Sequence, residues 1–196
     1  MKKKKDSNKL KNTLFGVFIS LIMVTSVLSY VGTRNSNNNS IVYNNYRFFY
    51  INGIWKTKVN GYELKFYNSP MEVENYNNTN LDEIIKVIRN SSAILISIDT
   101  DSIFIEDIKY IAYLLSNDLM YNNILTRTVA LKKNKYNVSI ADCKNATKFV
   151  PVIILNQSNS TQLKLDNYCI IISSNSPYGL MYLRDVITYR LFNIIK

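Results

Sequence analysis

The chain has 196 residues, with 24 Lys and Arg against 14 Asp and Glu, two cysteines and no histidine. Without histidine there is no His-based triad and no His-ligated metal site, and two cysteines cannot close a tetrahedral Cys-rich zinc site. The net charge of +10 is uneven: six lysines and Asp6 lie in the first twelve residues, leaving 18 basic against 13 acidic residues in the rest, a diffuse surplus that does not point to nucleic acid.

Residues 1–12 read as a basic cytoplasmic tail and 13–32 as a transmembrane helix whose partner is the lipid bilayer. From Leu14 to Gly32 no side chain is charged, and ~19 residues at ~1.5 Å each give about 28 Å of helix, close to the hydrocarbon thickness of a bilayer. Lys2, Lys3, Lys4, Lys5, Lys9 and Lys11 precede the run, which puts the N-terminus in the cytoplasm and everything after the run outside. The same stretch has two other readings, a cleaved signal peptide ending near Val27-Leu28-Ser29 and a buried helix of a soluble protein. Residues 33–42, opening with TRNSNNNS, read as a polar linker, and 43–196 as one extracytoplasmic α/β domain.

Asn52-Gly53 and Asn60-Gly61 sit between runs of alternating aromatic and polar residues and predict two tight hairpins, hence an antiparallel β-meander. Two-residue turns pair Ile51 with Ile54 and Val59 with Tyr62. One face then collects Tyr46, Phe48, Tyr50, Trp55, Thr57, Val59, Tyr62, Leu64 and Phe66, to be covered as core or left as an aromatic platform, and the other collects Arg47, Lys56, Lys58, Glu63 and Lys65, with Phe49, Ile51, Ile54 and Tyr67 towards its ends. Asn80 with Glu83 suggests a capping box opening a helix that ends near Asn90. Ala93–Ile98 predicts a buried strand, the apolar spacing from Ile105 to Leu119 a helix, and Thr126–Leu131 a second strand, together a βαβ-like unit. Further strands are expected at 136–140, at 149–155 (with Pro151 at a start, edge or bulge), at 161–165 and at 168–173, the last two joined by a tight turn at Asp166-Asn167. Ser176-Pro177 opens a C-terminal amphipathic helix marked by Leu180, Leu183, Val186, Ile187, Leu191 and Ile194.

The candidate chemistry is sparse. Asp99-Thr100-Asp101-Ser102 follows an apolar strand, where α/β sheets place their ligands. The strand and its Asp-x-Asp resemble the first motif of haloacid-dehalogenase-type phosphotransferases, a resemblance implying Asp99 as nucleophile and Asp101 as proton carrier beside magnesium. Ile103 departs from that motif, and no downstream lysine or acidic pair stands out. The same residues also suit a helix N-terminus. Sequons occur at Asn38, Asn77, Asn90, Asn137, Asn145, Asn156 and Asn159, of which Asn38 and Asn77, outside predicted elements, are the candidate glycosylation sites. Cys143 and Cys169 are expected to pair if the domain lies in an oxidising compartment, the alternative being two buried thiols. The stretch from Cys143 through Val150-Pro151-Val152 to Asn167-Tyr168-Cys169 resembles a group of archaeal single-pass, membrane-anchored extracytoplasmic proteins, which implies location and a disulfide but no activity.

The expectation is an α+β or α/β domain behind a transmembrane helix, serving as a cell-surface or envelope binding domain for other envelope proteins or glycans. An enzyme is not the expectation, and neither is a cofactor. The alternatives are an accessory subunit of a membrane complex and a metal-dependent phosphatase-like hydrolase using Asp99 and Asp101.

Overall fold

The computed structural model describes residues 13–26, 40–132 and 137–195, which fall in two compact units divided between Asn39 and Ser40. In the first unit α1 (residues 13–26) is exposed along its length, and the Thr25 and Ser26 hydroxyls donate back to the carbonyls of Leu21 and Ile22. Among the described residues no helix is long and apolar enough to cross a membrane, since 14 helical residues extend only about 21 Å. The remainder of the predicted span, the basic tail and most of the linker lie outside the described residues.

The second unit is α+β. Four antiparallel strands, β1 (Ser40–Tyr43), β2 (Tyr46–Ile51), β3 (Ile54–Val59) and β4 (Tyr62–Phe66), lie in sequential order, with Ile51 opposite Ile54 and Val59 opposite Tyr62 as the turn arithmetic requires. The linker expectation is corrected at its end: residues 40–42 belong to β1, and the domain begins at Ser40. Asn44 and Asn45 form a further tight turn, with φ of 44° and 69° beside the 53°/80° of Asn52-Gly53 and the 51°/86° of Asn60-Gly61. Two successive positive φ angles match the twist of a hairpin, and asparagine is the side chain that tolerates them best. Every non-glycine residue with positive φ among those described is an asparagine.

The second sheet runs β6-β5-β7-β9-β8, where β5 is Ala93–Ile98, β6 Leu125–Ala130, β7 Val152–Gln157, β8 Gln162–Asp166 and β9 Cys169–Ser174. All pairs are parallel except β8 with β9. Helix α4 (Ile105–Met120) makes the expected crossover from β5 to β6. The strand expected at 136–140 is absent where described: Ile140 makes only a single bridge to Ala130, and residue 136 lies outside the described residues. Pro151 immediately precedes β7, which is interior, so the strand-start reading holds.

Helix α2 (Pro70–Val73) carries the capping box, formed by Ser69 and Glu72. Helix α3 (Leu81–Arg89) does not: the Asn80 side chain makes no cap bond, and its N–H donates to Asn78 Oδ1 instead. Helix α5 (Pro177–Leu191) starts as expected, with the Ser176 hydroxyl accepting from the Gly179 N–H, but it is not amphipathic. Its residues from Gly179 to Tyr189 are buried except Tyr182, because one side packs on the first sheet and another on the second. Tyr189 stacks on Phe66 at 3.9 Å and lies 5.9 Å from Phe48, so the middle of the meander's aromatic face is core, while Tyr50 and Tyr62 on the same face remain exposed. On the other side, helix residues share one core with Ile94, Ile96, Ile153, Leu155, Ile170 and Ile172.

Among the described residues the far face of the second sheet carries no α-helix. It is covered by the β6–β7 connection, which encloses a small cluster of Val152, Ile154 and Cys169 with Cys143 and Ala146. Cys143 and Cys169 form a disulfide with a Cα–Cα distance of 5.1 Å, and the Ser97 hydroxyl donates to Ala141 O at 2.6 Å.

One charged group sits at the centre. Arg184, 1 % exposed, donates from Nη2 to Asp118 and from Nη1 to Asp185 (2.8 Å) and to Lys65 O (2.7 Å). Asp185 Oδ2 also accepts from the N–H groups of Tyr67 (2.8 Å) and Asn68 (2.9 Å) and from Asn68 Nδ2 (2.9 Å). Two carboxylates thus share one guanidinium out of water. Asp185 has the richer set of donors, and burial raises both carboxyls above the usual range, Asp118 to about 6.

Two predictions follow from these constraints. Converting both Cys143 and Cys169 to serine opens a loop with a sequence separation of 26 and is expected to cost about 3 kcal/mol in a denaturant titration; an unchanged midpoint would mean that the loop is held without the bridge. For Asp118 the native carboxyl binds its proton more tightly than the unfolded chain, so its stabilising contribution is present below about pH 4 and is lost as pH rises through about 6. Stability should fall over that window by on the order of 2–3 kcal/mol, and Asp118→Asn should flatten the slope; a wild-type curve no steeper than that of Asp118→Asn contradicts the assignment.

Candidate functional site

The carboxyl ends of β5, β6, β7 and β9 point the same way, and α4 and α5 start there. This edge is where an open parallel sheet exposes loops and helix N-termini together. Asp99 follows β5, and Lys132 lies two residues past the end of β6. Lys132 Nζ is 3.3 Å from Asp99 Oδ1 and 3.2 Å from Asp101 Oδ2. Hydrogen bonds to Asp101 and Asp99 hold the Lys132 ammonium above the usual lysine range.

Neither aspartate caps α4. The Asp101 N–H donates to Asp99 Oδ1 (3.2 Å) in a local turn, and it is the Ser102 hydroxyl that accepts from Phe104 N–H (3.0 Å). The same hydroxyl donates to Gln157 Oε1 at the end of β7 (3.1 Å), tying the β5–α4 turn to the neighbouring strand. Lys132, from the basic turn after β6, thus meets both aspartates of the Asp-x-Asp turn in space. A third acid does not: among the described residues no group of three or more His, Cys, Asp or Glu is placed to hold a metal ion. As built, the arrangement clasps two loops through an exposed ion cluster that salt would screen.

At this same edge, between the helix N-termini and the end of β4, lies a cavity of about 320 Å³ lined by Tyr67, Asp107, Tyr110, Ile111, Pro177, Tyr178 and Met181. Three segments build it. Tyr67 directly follows β4 and is fixed by its backbone bond to Asp185. Asp107 and Tyr110 stand one turn apart near the start of α4, and Tyr178 belongs to the first turn of α5, set by the Ser176 cap. The hydroxyls of Tyr67 and Tyr110 are hydrogen-bonded at 2.9 Å, and their rings meet nearly at right angles (87°, centroids 6.4 Å apart). Tyr178 donates its hydroxyl to Asn68 Oδ1 at 2.7 Å. Burial and the bond to Tyr110 push the Tyr67 phenol up to about 12, so it stays neutral. Among the described residues Asp107 is the only carboxylate in the lining, and no Lys or Arg joins it.

None of these wall residues stands out in the sequence, where each tyrosine reads as an ordinary half-buried aromatic. The one available signal is Tyr110 with Tyr113 on α4, two aromatics at positions between the apolar stripe, and both prove exposed. Of the other expected sites, the disulfide lies on the far face of the second sheet, Asn77 is exposed in the α2–α3 connection, and Asn38 lies outside the described residues. Compared with protein-family models, curated proteins and solved structures, the chain has no match.

Proposed function

We propose that the chain is a membrane-anchored extracytoplasmic binding module, held to the bilayer through residues 13–32 and presenting the 40–196 unit outside the cell, with the tyrosine-lined cavity as its ligand site. The observation that carries the location is the Cys143–Cys169 disulfide, since such bonds persist in oxidising compartments and are rare in the reducing cytosol. The lysine-rich start, the charge-free run after it and the resemblance to archaeal anchored proteins support the same topology. Asn77 and Asn38 are the proposed glycan acceptors, and other envelope proteins or glycans the broader class of partners.

Intact cells treated with a membrane-impermeant maleimide test this directly. Labelling of Cys143 and Cys169 only after an impermeant reductant is added supports an outside, stapled domain. Labelling that needs the membrane breached and no reductant overturns it.

A second reading, a phosphatase-like hydrolase on Asp99 and Asp101, is favoured by one observation, the placement of Lys132 against both carboxylates. It requires that Asp99→Asn abolish magnesium-dependent phosphate release from an aryl phosphate. Equal release by wild type and variant, or none by wild type, excludes it.

A further inference from the structure

The chain carries 24 basic residues against 14 acidic ones, yet among the described residues the cavity beside Tyr67 is walled by three phenols, a carboxylate, Ile111, Pro177 and Met181 with no basic side chain. An anionic ligand would gain from the N-terminal turns of α4 and α5 but would meet repulsion from Asp107 and from the negative faces of the rings. Asp107 is exposed and belongs to the cavity lining, so its carboxylate is accessible to a ligand. Tyr67 and Tyr110 form two walls at 87°, and a compact cation is attracted to the negative face of such a ring and not to its positive edge. The hydroxyl–hydroxyl bond fixes that corner before any ligand arrives, which lowers the ordering cost of binding. A volume of about 320 Å³ is at the small end of ligand pockets, suited to a headgroup-sized molecule.

We propose that this cavity binds an organic ammonium group, seated against the Tyr67 and Tyr110 rings and neutralised by Asp107. The inference rests on the binding-module reading and names the ligand class of its site. Cation–π attraction supplies affinity that an uncharged molecule of the same shape lacks, and the carboxylate adds a screened Coulomb contribution. Methylated ammonium ions fit better than a bare ammonium because they shed water more easily over an aromatic surface.

The test uses the full chain in detergent, titrated with choline and tetramethylammonium, with 3,3-dimethylbutanol as the neutral isostere of choline and glucose as a neutral polyol, all read by NMR shifts of labelled tyrosines. Saturable shifts at Tyr67 and Tyr110 are expected with the two cations and at least ~5-fold weaker ones with the isostere. Tyr110→Leu should weaken choline binding by ~5–30-fold, and Asp107→Asn should weaken it while reducing its salt dependence. Tyr110→Phe keeps the ring and should keep most of the affinity, which separates a lost π-face from a damaged fold. Equal binding of choline and its isostere overturns the proposal, as does a wild type that binds neither cation. Shifts with glucose alone overturn the ammonium and leave the binding module standing, whereas failure of the maleimide experiment removes the location without touching the cavity.

Discussion

The Arg184 guanidinium, fixed between Asp118 and Asp185 in the middle of the molecule, is the constraint on which the rest of the fold depends. Burying three charges costs several kcal/mol each before compensation, and the structure recovers this only by bringing together groups from distant parts of the chain. Asp118 comes from α4, Lys65 O from β4, the Tyr67 and Asn68 donors from the loop after it, and Thr188, which bonds Asp118 Oδ2 at 2.8 Å, from the next turn of α5. The compensation is incomplete, because Arg184 Nε has no partner in the structure. Such a network adds less to stability than to uniqueness: an apolar trio could fill the space, but would not dictate which strand end meets which helix face. Removing one member is a different matter, since it strands the others.

The same network reaches the cavity. Asp185 Oδ2 holds both the Tyr67 backbone and the Asn68 side-chain amide, and Asn68 Oδ1 takes the hydroxyl of Tyr178. Two of the three tyrosines that wall the cavity are therefore positioned, one or two bonds away, by a carboxylate that Arg184 keeps in place. The third, Tyr110, is held by Tyr67. The pocket walls are thus an extension of the buried charge network, which gives them rigidity that exposed tyrosines on loops would not have.

Much of the fold was legible because its signals are local. Asn-Gly pairs state their turn type and so fix hairpin register to the residue, and Ala93–Ile98 followed by a long helical period forces a crossover. What escaped was non-local or carried by a less familiar residue. Strand β1 was read as linker because Asn44-Asn45 has no glycine, although this chain uses asparagine at eight positive-φ positions. Helix α5 carries apolar residues at helical spacing, but Arg184, Asp185 and Thr188 among them are polar and nothing local marks them as buried. The Asp118 carboxylate from α4 and the backbone and amide groups of Lys65, Tyr67 and Asn68 are what let them enter the core. The cavity was illegible for the same reason: its tyrosines come from three segments, and their convergence is a property of the Arg184 network.

The disulfide answers a different structural need. In a parallel sheet each crossover normally lays a helix on one face or the other, and here the helices α3, α4 and α5 crowd the face toward the meander while the β6–β7 connection alone must cover the opposite one. That connection offers one 3₁₀ turn, Cys143–Asn145, and its own apolar cluster is small. A segment with so little to bury cannot offset its ordering entropy by packing alone. Tying Cys143 to the start of β9 removes part of that entropy from the unfolded chain and seals the Val152 and Ile154 side chains from water. The bond therefore does for this face what a packed crossover helix does for the other, holding the β6–β7 connection against the sheet.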